Sequence, residues 1–138
     1  MKQITIIIGL PGSGKSHLLE KEFNDPKYTV IDDPMKSSDI PEEFPEHLVI
    51  ADCRLCRESI MDSFYNFIQK KFGDVKVNKI YFENNPEQCL RNVAYRNDGR
   101  LVHATIEHMS KTYTIPDNER VIPVFDTDKL KKKNRLKL

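Results

Sequence analysis

No apolar run in this 138-residue chain approaches the ~18 residues that a membrane-spanning helix needs, so no membrane association is expected. The opening MKQITIIIGL carries one lysine and a short apolar block but no small-residue cleavage pattern, so it does not read as a signal peptide. Cysteine is scarce. Cys53, Cys56 and Cys89 cannot all pair with one another, and Cys53–Cys56 is a lone CxxC without a second pair to complete a metal site. Reduced thiols in a cytoplasmic compartment are the expectation. Histidine is scattered: His103 and His108 are five apart, off a common helical face, and imply no metal centre. The chain has no internal repeat, no linker, no GxGxxG dinucleotide fingerprint and no NKxD guanine motif.

Charge is abundant and unevenly placed. Six of the 22 basic residues lie in 129–138 with no acid among them, leaving 16 basic against 21 acidic residues in the body. The tail is read as a frayed, solubilising end that can also meet phosphate-rich partners. One domain, residues 1–128, is expected ahead of it.

Apolar patterning alternates between two kinds of element. Ile4–Ile8, Tyr28–Ile31, Leu48–Ala51, Val77–Phe82 and Val121–Phe125 read as strands, the more continuous runs as strands buried on both faces. Helices are predicted over Lys15–Phe23, Arg54–Phe72 and His103–Tyr113, and from Asn85-Pro86-Glu87 to about Asn97, where Asn is the cap and Pro the first position. Residues 34–46, with three prolines, read as loop with one short helix at most. Alternating strands and helices give an α/β domain with a mostly parallel sheet, whose ligands sit beyond the carboxyl ends of the strands.

Glycine is also scarce, with five in all, yet three crowd into Gly9-Leu10-Pro11-Gly12-Ser13-Gly14-Lys15-Ser16. This is GxxxxGK[ST] between a strand and a helix. Glycines let successive N–H groups converge on phosphates, Lys15 neutralises β/γ-phosphate charge, Ser16 ligates Mg²⁺, and the helix dipole adds partial positive charge. A nucleoside triphosphate is therefore the expected ligand. The loop is placed on the surface, so loss of Lys15 is expected to spare the fold.

Asp52 ends an apolar strand, where a carboxylate holds Mg²⁺ directly or through water. Asp32 and Asp33 end another, and one of them is placed to take a proton from an attacking hydroxyl. Adjacent strand residues point oppositely, so at most one faces the site. Arg91, Arg96 and Arg100 in RNVAYRNDGR read as a mobile lid over the transferring phosphoryl group, although Arg91 and Arg96, five apart, do not share one helical stripe.

With PGSGKS after the first strand, Asp32-Asp33 at the second strand end, Leu48–Asp52 as an apolar strand ending in Asp, and ENNPEQCLRNVAYRNDGRLVHATIEHMSKTY as a lid region, the chain resembles the 5′-kinase domain of bacteriophage polynucleotide kinase, within the P-loop kinase group. That resemblance implies a three-layer P-loop kinase fold, a five-stranded sheet with helices on both faces. It also implies ATP- and Mg²⁺-dependent transfer of the γ-phosphate to a hydroxyl, typically the 5′-OH of a nucleic acid. Lys15 and Ser16 would bind the nucleotide, Asp32 or Asp33 would be the base, and Arg96 the lid arginine, with Arg91 or Arg100 in support. The chain departs from the pattern in two places. Only residues 33–46 separate the second and third strands, and Lys36 is their sole cation among five acids, which suits a nucleoside or nucleotide better than a long polymer. FDTDKL, Phe125–Leu130, resembles the DxD start of the phosphatase half of some relatives but reads here as the end of the fifth strand.

Overall fold

In the computed structural model, which describes residues 2–32, 40–43, 45–96 and 102–129, the first apolar run forms β1 (Gln3–Ile8). Then come α1 (Lys15–Glu22), β2 (Tyr28–Asp32), β3 (His47–Ala51), a 3₁₀ turn (Cys53–Cys56), α2 (Glu58–Phe72), β4 (Lys76–Phe82), α3 (Pro86–Arg96), α4 (His103–Thr112) and β5 (Arg120–Ile122). The strands form one parallel sheet in the order β2-β3-β1-β4-β5. β1 is central, so the glycine loop that follows it emerges at the middle of the sheet's carboxyl edge. The loop region 34–46 lies mostly outside the described residues.

Period-two alternation sorts the core into two layers. Ile4, Ile6, Ile8, Leu48, Ile50 and Tyr81 point to the face covered by α2, α3 and α4, where they meet Met61, Ile68, Cys89, Val93 and Ile106. Ile7, Val49, Ala51, Ile80 and Phe82 point to the other face, against Leu18 and Leu19 of α1. Strands buried on both faces read as continuous apolar runs, as β1 and β3 do. The result is the three-layer arrangement expected.

Two boundaries differ from the sequence expectation. The helix foreseen from Arg54 is broken: Leu55 and Arg57 make i→i+3 bonds back to Asp52 and Arg54, and the α-helix restarts when Ile60 and Met61 bond to Arg57. Arg57 itself is extended, at φ −85° and ψ 120°. β5 is also shorter than foreseen. Pro123 has no N–H for the ladder. Val124 N–H then turns to Glu83 Oε1 at 3.1 Å and Phe125 N–H to Ser13 O at 2.9 Å. Phe125–Lys129 are therefore not a strand end; the chain leaves the sheet there, with Phe125 bonded to the glycine loop. No helix among the described residues is long and apolar enough to cross a membrane.

Behind the loop the Tyr113 hydroxyl donates to the carbonyls of Ile8 and Phe82, joining the ends of β1 and β4. Burial pushes the Cys56 thiol from 9.0 up to about 12 and the Cys89 thiol up to about 11, and raises the Tyr113 phenol. These acids hold their protons more tightly folded than unfolded. Their contribution to stability is complete below the unfolded values, 9.0 for the thiols and 10.0 for the phenol, and is lost as pH climbs toward the folded ones. The urea unfolding midpoint is expected to fall steadily between about pH 8.5 and 11. Cys56→Ala should flatten that fall while lowering stability at neutral pH; an unchanged slope counts against the buried-thiol account.

Candidate active site

A loop that aims its N–H groups at an anion must turn its carbonyls away, and each carbonyl then needs its own donor. Here nearly all have one. Gly9 O and Leu10 O each accept from Lys15 Nζ at 2.9 Å. Gly12 O accepts from Asn92 Nδ2 at 2.8 Å, Ser13 O from Phe125 N and Gly14 O from Leu18 N, the last two at 2.9 Å. Among the described residues no acceptor takes the N–H groups of Gly14, Lys15 and Ser16, and no side chain caps α1. An unfilled helix N-terminus with converging donors is an anion site, and it fits a phosphate chain.

Two glycines are required by conformation. Gly12 has φ +83° and Gly14 φ +106°, left-handed values that side chains resist. A Cβ at Gly12 would stand 2.7 Å from Cys89 O, and one at Gly14 2.6 Å from Phe125 Cβ. Gly9 leaves room for the side chain of Ser13, whose Oγ is buried without a hydrogen-bond partner among the described residues. Ser13 and Pro11 thus belong to the cradle through their backbones.

The loop opens into a cleft of about 460 Å³ lined by Pro11, Gly12, Gly14, Lys15, Ser16 and His17, by Asp32 and Cys53 at the strand ends, by Asn92, Tyr95 and Arg96 of α3, and by Phe125 and Thr127. Lys15 is 8% exposed, not the surface residue foreseen, because its ammonium lies along the loop carbonyls. Its loss would leave the buried Gly9 O without that donor, while Leu10 O keeps the Ser13 N–H at 3.1 Å. Ser16 Oγ donates to Asp32 Oδ2 at 2.9 Å, bringing a hydroxyl and a carboxylate together at the cleft mouth. Two hard oxygen ligands beside a phosphate cradle suit Mg²⁺.

Asp52 is placed differently. It is 4% exposed and does not line the cleft. Its Oδ1 accepts Arg54 N at 2.9 Å and its Oδ2 accepts Arg54 Nη2 at 2.6 Å, with Arg54 Nε 3.1 Å from each oxygen. Arg96 does line the cleft, whereas Arg91 donates to Gln88 Oε1 at 2.6 Å and pairs with Asp128 at 3.3 Å. Asp33 and Arg100 lie outside the described residues.

Sequence reasoning passed over Asn92, Phe125 and Thr127. The stripe Gln88-Asn92-Arg96, spaced by four, was the available signal for Asn92. None existed for Phe125, which reaches the loop across more than a hundred residues and sets its ring 4.2 Å from that of His17.

No family model matches the chain. It is 35% identical over 121 residues to an uncharacterized protein of Acanthamoeba polyphaga mimivirus, covering 83% of this chain and 88% of the relative. The chain belongs to the family of that viral protein. Among solved structures it superposes on a gluconokinase from Sinorhizobium meliloti 1021 with a TM-score of 0.60 at 11% identity, over 99% of this chain and 97% of the other. It superposes on the protein APE1195 with a TM-score of 0.59 at 13% identity, over 99% and 91%. The fold is that of the P-loop kinases; at these identities the likeness speaks to fold alone.

The loop geometry makes two neighbouring substitutions diverge. Gly12→Ala is expected to destabilise by roughly 1–3 kcal/mol through backbone strain and to weaken nucleotide binding. Ser13→Ala removes only an unpartnered hydroxyl and should leave stability equal or up to about 1 kcal/mol higher. Thermal melts and titration with ATP of both variants check the contrast; equal behaviour sinks it.

Proposed function

We propose that the chain is an ATP- and Mg²⁺-dependent kinase that transfers the γ-phosphate to a hydroxyl acceptor, a nucleic-acid 5′-OH or a nucleoside or nucleotide. The observation that carries this reading is the Ser16–Asp32 pair at the mouth of a cradle whose N–H groups are left for an anion. A loop that only bound nucleotide would not need an exposed strand-end carboxylate opposite an arginine-bearing helix.

The roles follow from position. The N–H groups of Gly14, Lys15 and Ser16 bind and orient the phosphates. Lys15 trades its loop carbonyls for phosphate oxygens and offsets charge that grows during transfer. Asp32 accepts the proton as the acceptor oxygen bonds to phosphorus and the bond to the departing diphosphate breaks. Ser16 and Asp32 would hold Mg²⁺, which would supply charge neutralisation to the phosphates, whereas Asp52 has both oxygens taken by Arg54. Arg96 approaches from α3 and excludes water. The base of the nucleotide has the His17 and Phe125 rings at the cleft rim to stack on.

The polynucleotide-kinase likeness supports a nucleic-acid or nucleotide acceptor. The acidic bias of residues 33–46 favours a small acceptor, so a kinase of a small non-nucleic alcohol is the second reading. Incubation with labelled ATP and Mg²⁺ over 5′-OH DNA, 5′-OH RNA, nucleosides, nucleotides and sugars separates the two. No labelled product from any acceptor defeats the kinase reading. Lys15→Ala is expected to lower transfer about 10²–10³-fold. Asp32→Asn should lower kcat about 10²–10⁴-fold while leaving affinity for Mg²⁺-free nucleotide little changed, measured in steady state and by equilibrium titration without Mg²⁺.

A further inference from the structure

We propose that Asn92 is a positioning residue: one buried amide holds the phosphate loop in its anion-accepting shape and ties that shape to the helix that presents Arg96. The inference rests on the reading that the cleft binds a nucleoside triphosphate.

Asn92 is 4% exposed and lies one turn before Arg96 on α3. Its Nδ2 donates to Gly12 O at 2.8 Å and to Phe125 O. Its Oδ1 accepts from Gln88 Nε2 and Thr127 Oγ1, each at 2.8 Å, and from Thr127 N at 3.3 Å. A primary amide has two N–H donors and an oxygen with two lone pairs, so nothing is left over. The orientation is determined: Thr127 N–H can only donate and the two carbonyls can only accept.

Gly12 is where this matters. At φ +83° its carbonyl leaves the concavity, and Asn92 is the donor that meets it there. Turned inward, that carbonyl would face phosphate oxygen, dipole against charge. Space is fixed by the same helix, since Cys89 O and Val93 Cγ2 fill the room where a Gly12 side chain would stand. The segment beyond β5 is latched alongside, by Thr127 to Asn92 and by Asp128 to Arg91. A movement of α3 that shifts Arg96 in the cleft therefore pulls on Gly12 and on residues 125–127 together.

The test uses the acid isostere. Asn92→Asp keeps the acceptor oxygen for Gln88 and Thr127 but sets a second oxygen against the Gly12 and Phe125 carbonyls. A buried carboxylate there is driven to take a proton, and the protonated form regains one donor. The titratable and charged groups on the segments meeting at Asn92 are Lys15 and His17, Glu87, Cys89, Arg91, Tyr95 and Arg96, and Asp126, Asp128 and Lys129. The native protein carries them all, so the variant-to-native ratio at each pH cancels their titration. Affinity for a non-hydrolysable ATP analogue, by calorimetry, is expected about tenfold below native near pH 8, with the deficit shrinking toward pH 5.5. Asn92→Ala should show a deficit that does not vary with pH. Native affinity for Asn92→Asp at pH 8, or a deficit that ignores pH, overturns the proposal.

Amide hydrogen exchange of residues 9–16 without ligand gives a second readout. It should quicken in Asn92→Asp at pH 8 while residues 48–51 stay protected; an unchanged loop overturns the proposal. If the native protein binds no analogue, the nucleotide reading fails, and exchange still decides the role of Asn92. Should Asn92→Asp not fold, Thr127→Val withdraws one donor from Oδ1 alone. An affinity about threefold below native supports the proposal, and native affinity together with native exchange overturns it.

Discussion

Everything at the carboxyl edge of this sheet follows from the need to turn peptide carbonyls out of the Gly9–Gly14 loop. A concavity of N–H donors can exist only if the opposite ends of the same peptides are satisfied elsewhere. Lys15 and Leu18 of α1, Asn92 of α3 and Phe125 beyond β5 do this from three parts of the chain. The arrangement explains why a lysine that carries the site's positive charge is nearly buried. It explains too why β5 stops at Ile122: the residues after it are needed as donors and packing for the loop, and Pro123 releases them from the ladder.

The same requirement couples elements that have little else in common. α3 contacts the loop through Cys89, Asn92 and Val93, and the segment beyond β5 through Asn92 and Arg91. Around Asn92 the two meet in a single buried network, which is fully satisfied and so favours one arrangement over neighbouring ones. The shape of the loop, the placement of α3 and the path of the chain after β5 are then facets of one packing state. The Tyr113 hydroxyl, joining the ends of β1 and β4 beneath the loop, gives that state a fixed floor.

How much of this could be read from the sequence depends on the range over which each feature is set. The first four strand runs, the GxxxxGK[ST] spacing and the Asn85-Pro86 start of α3 are local backbone decisions, and each stands where the pattern placed it, whereas β5 stops early at Pro123. Asp32 was legible as one of the pair Asp32-Asp33 because a strand end aims one of them at the cleft, and Arg96 through the resemblance of its segment to a kinase lid. Arg91 was not, since its direction depends on Asp128, thirty-seven residues on. The burial of Lys15 and the part played by Asn92 were hidden for the same reason: the Asn92–Gly12 bond spans 80 residues, and nothing local announces it. The break at Arg57 is an intermediate case, for its i→i+3 bonds are local but compete closely with a continuous helix.

The two strand-end carboxylates show how one neighbour divides labour between like groups. Asp32 and Asp52 end adjacent parallel strands, Asp32 opposite Ala51 in register and Asp52 one residue beyond. A buried carboxylate is costly unless a cation and hydrogen bonds meet it. Asp52 is buried, and Arg54, two residues on, occupies both its oxygens while the same carboxylate caps the 3₁₀ turn. Its charge is matched before any ligand arrives. Asp32 is exposed, and the uncharged hydroxyl of Ser16 donates to it. Arg54 thereby leaves Asp32 as the strand-end carboxylate that lines the cleft beside the glycine loop, and on the proposed kinase reading the acid–base chemistry falls to it.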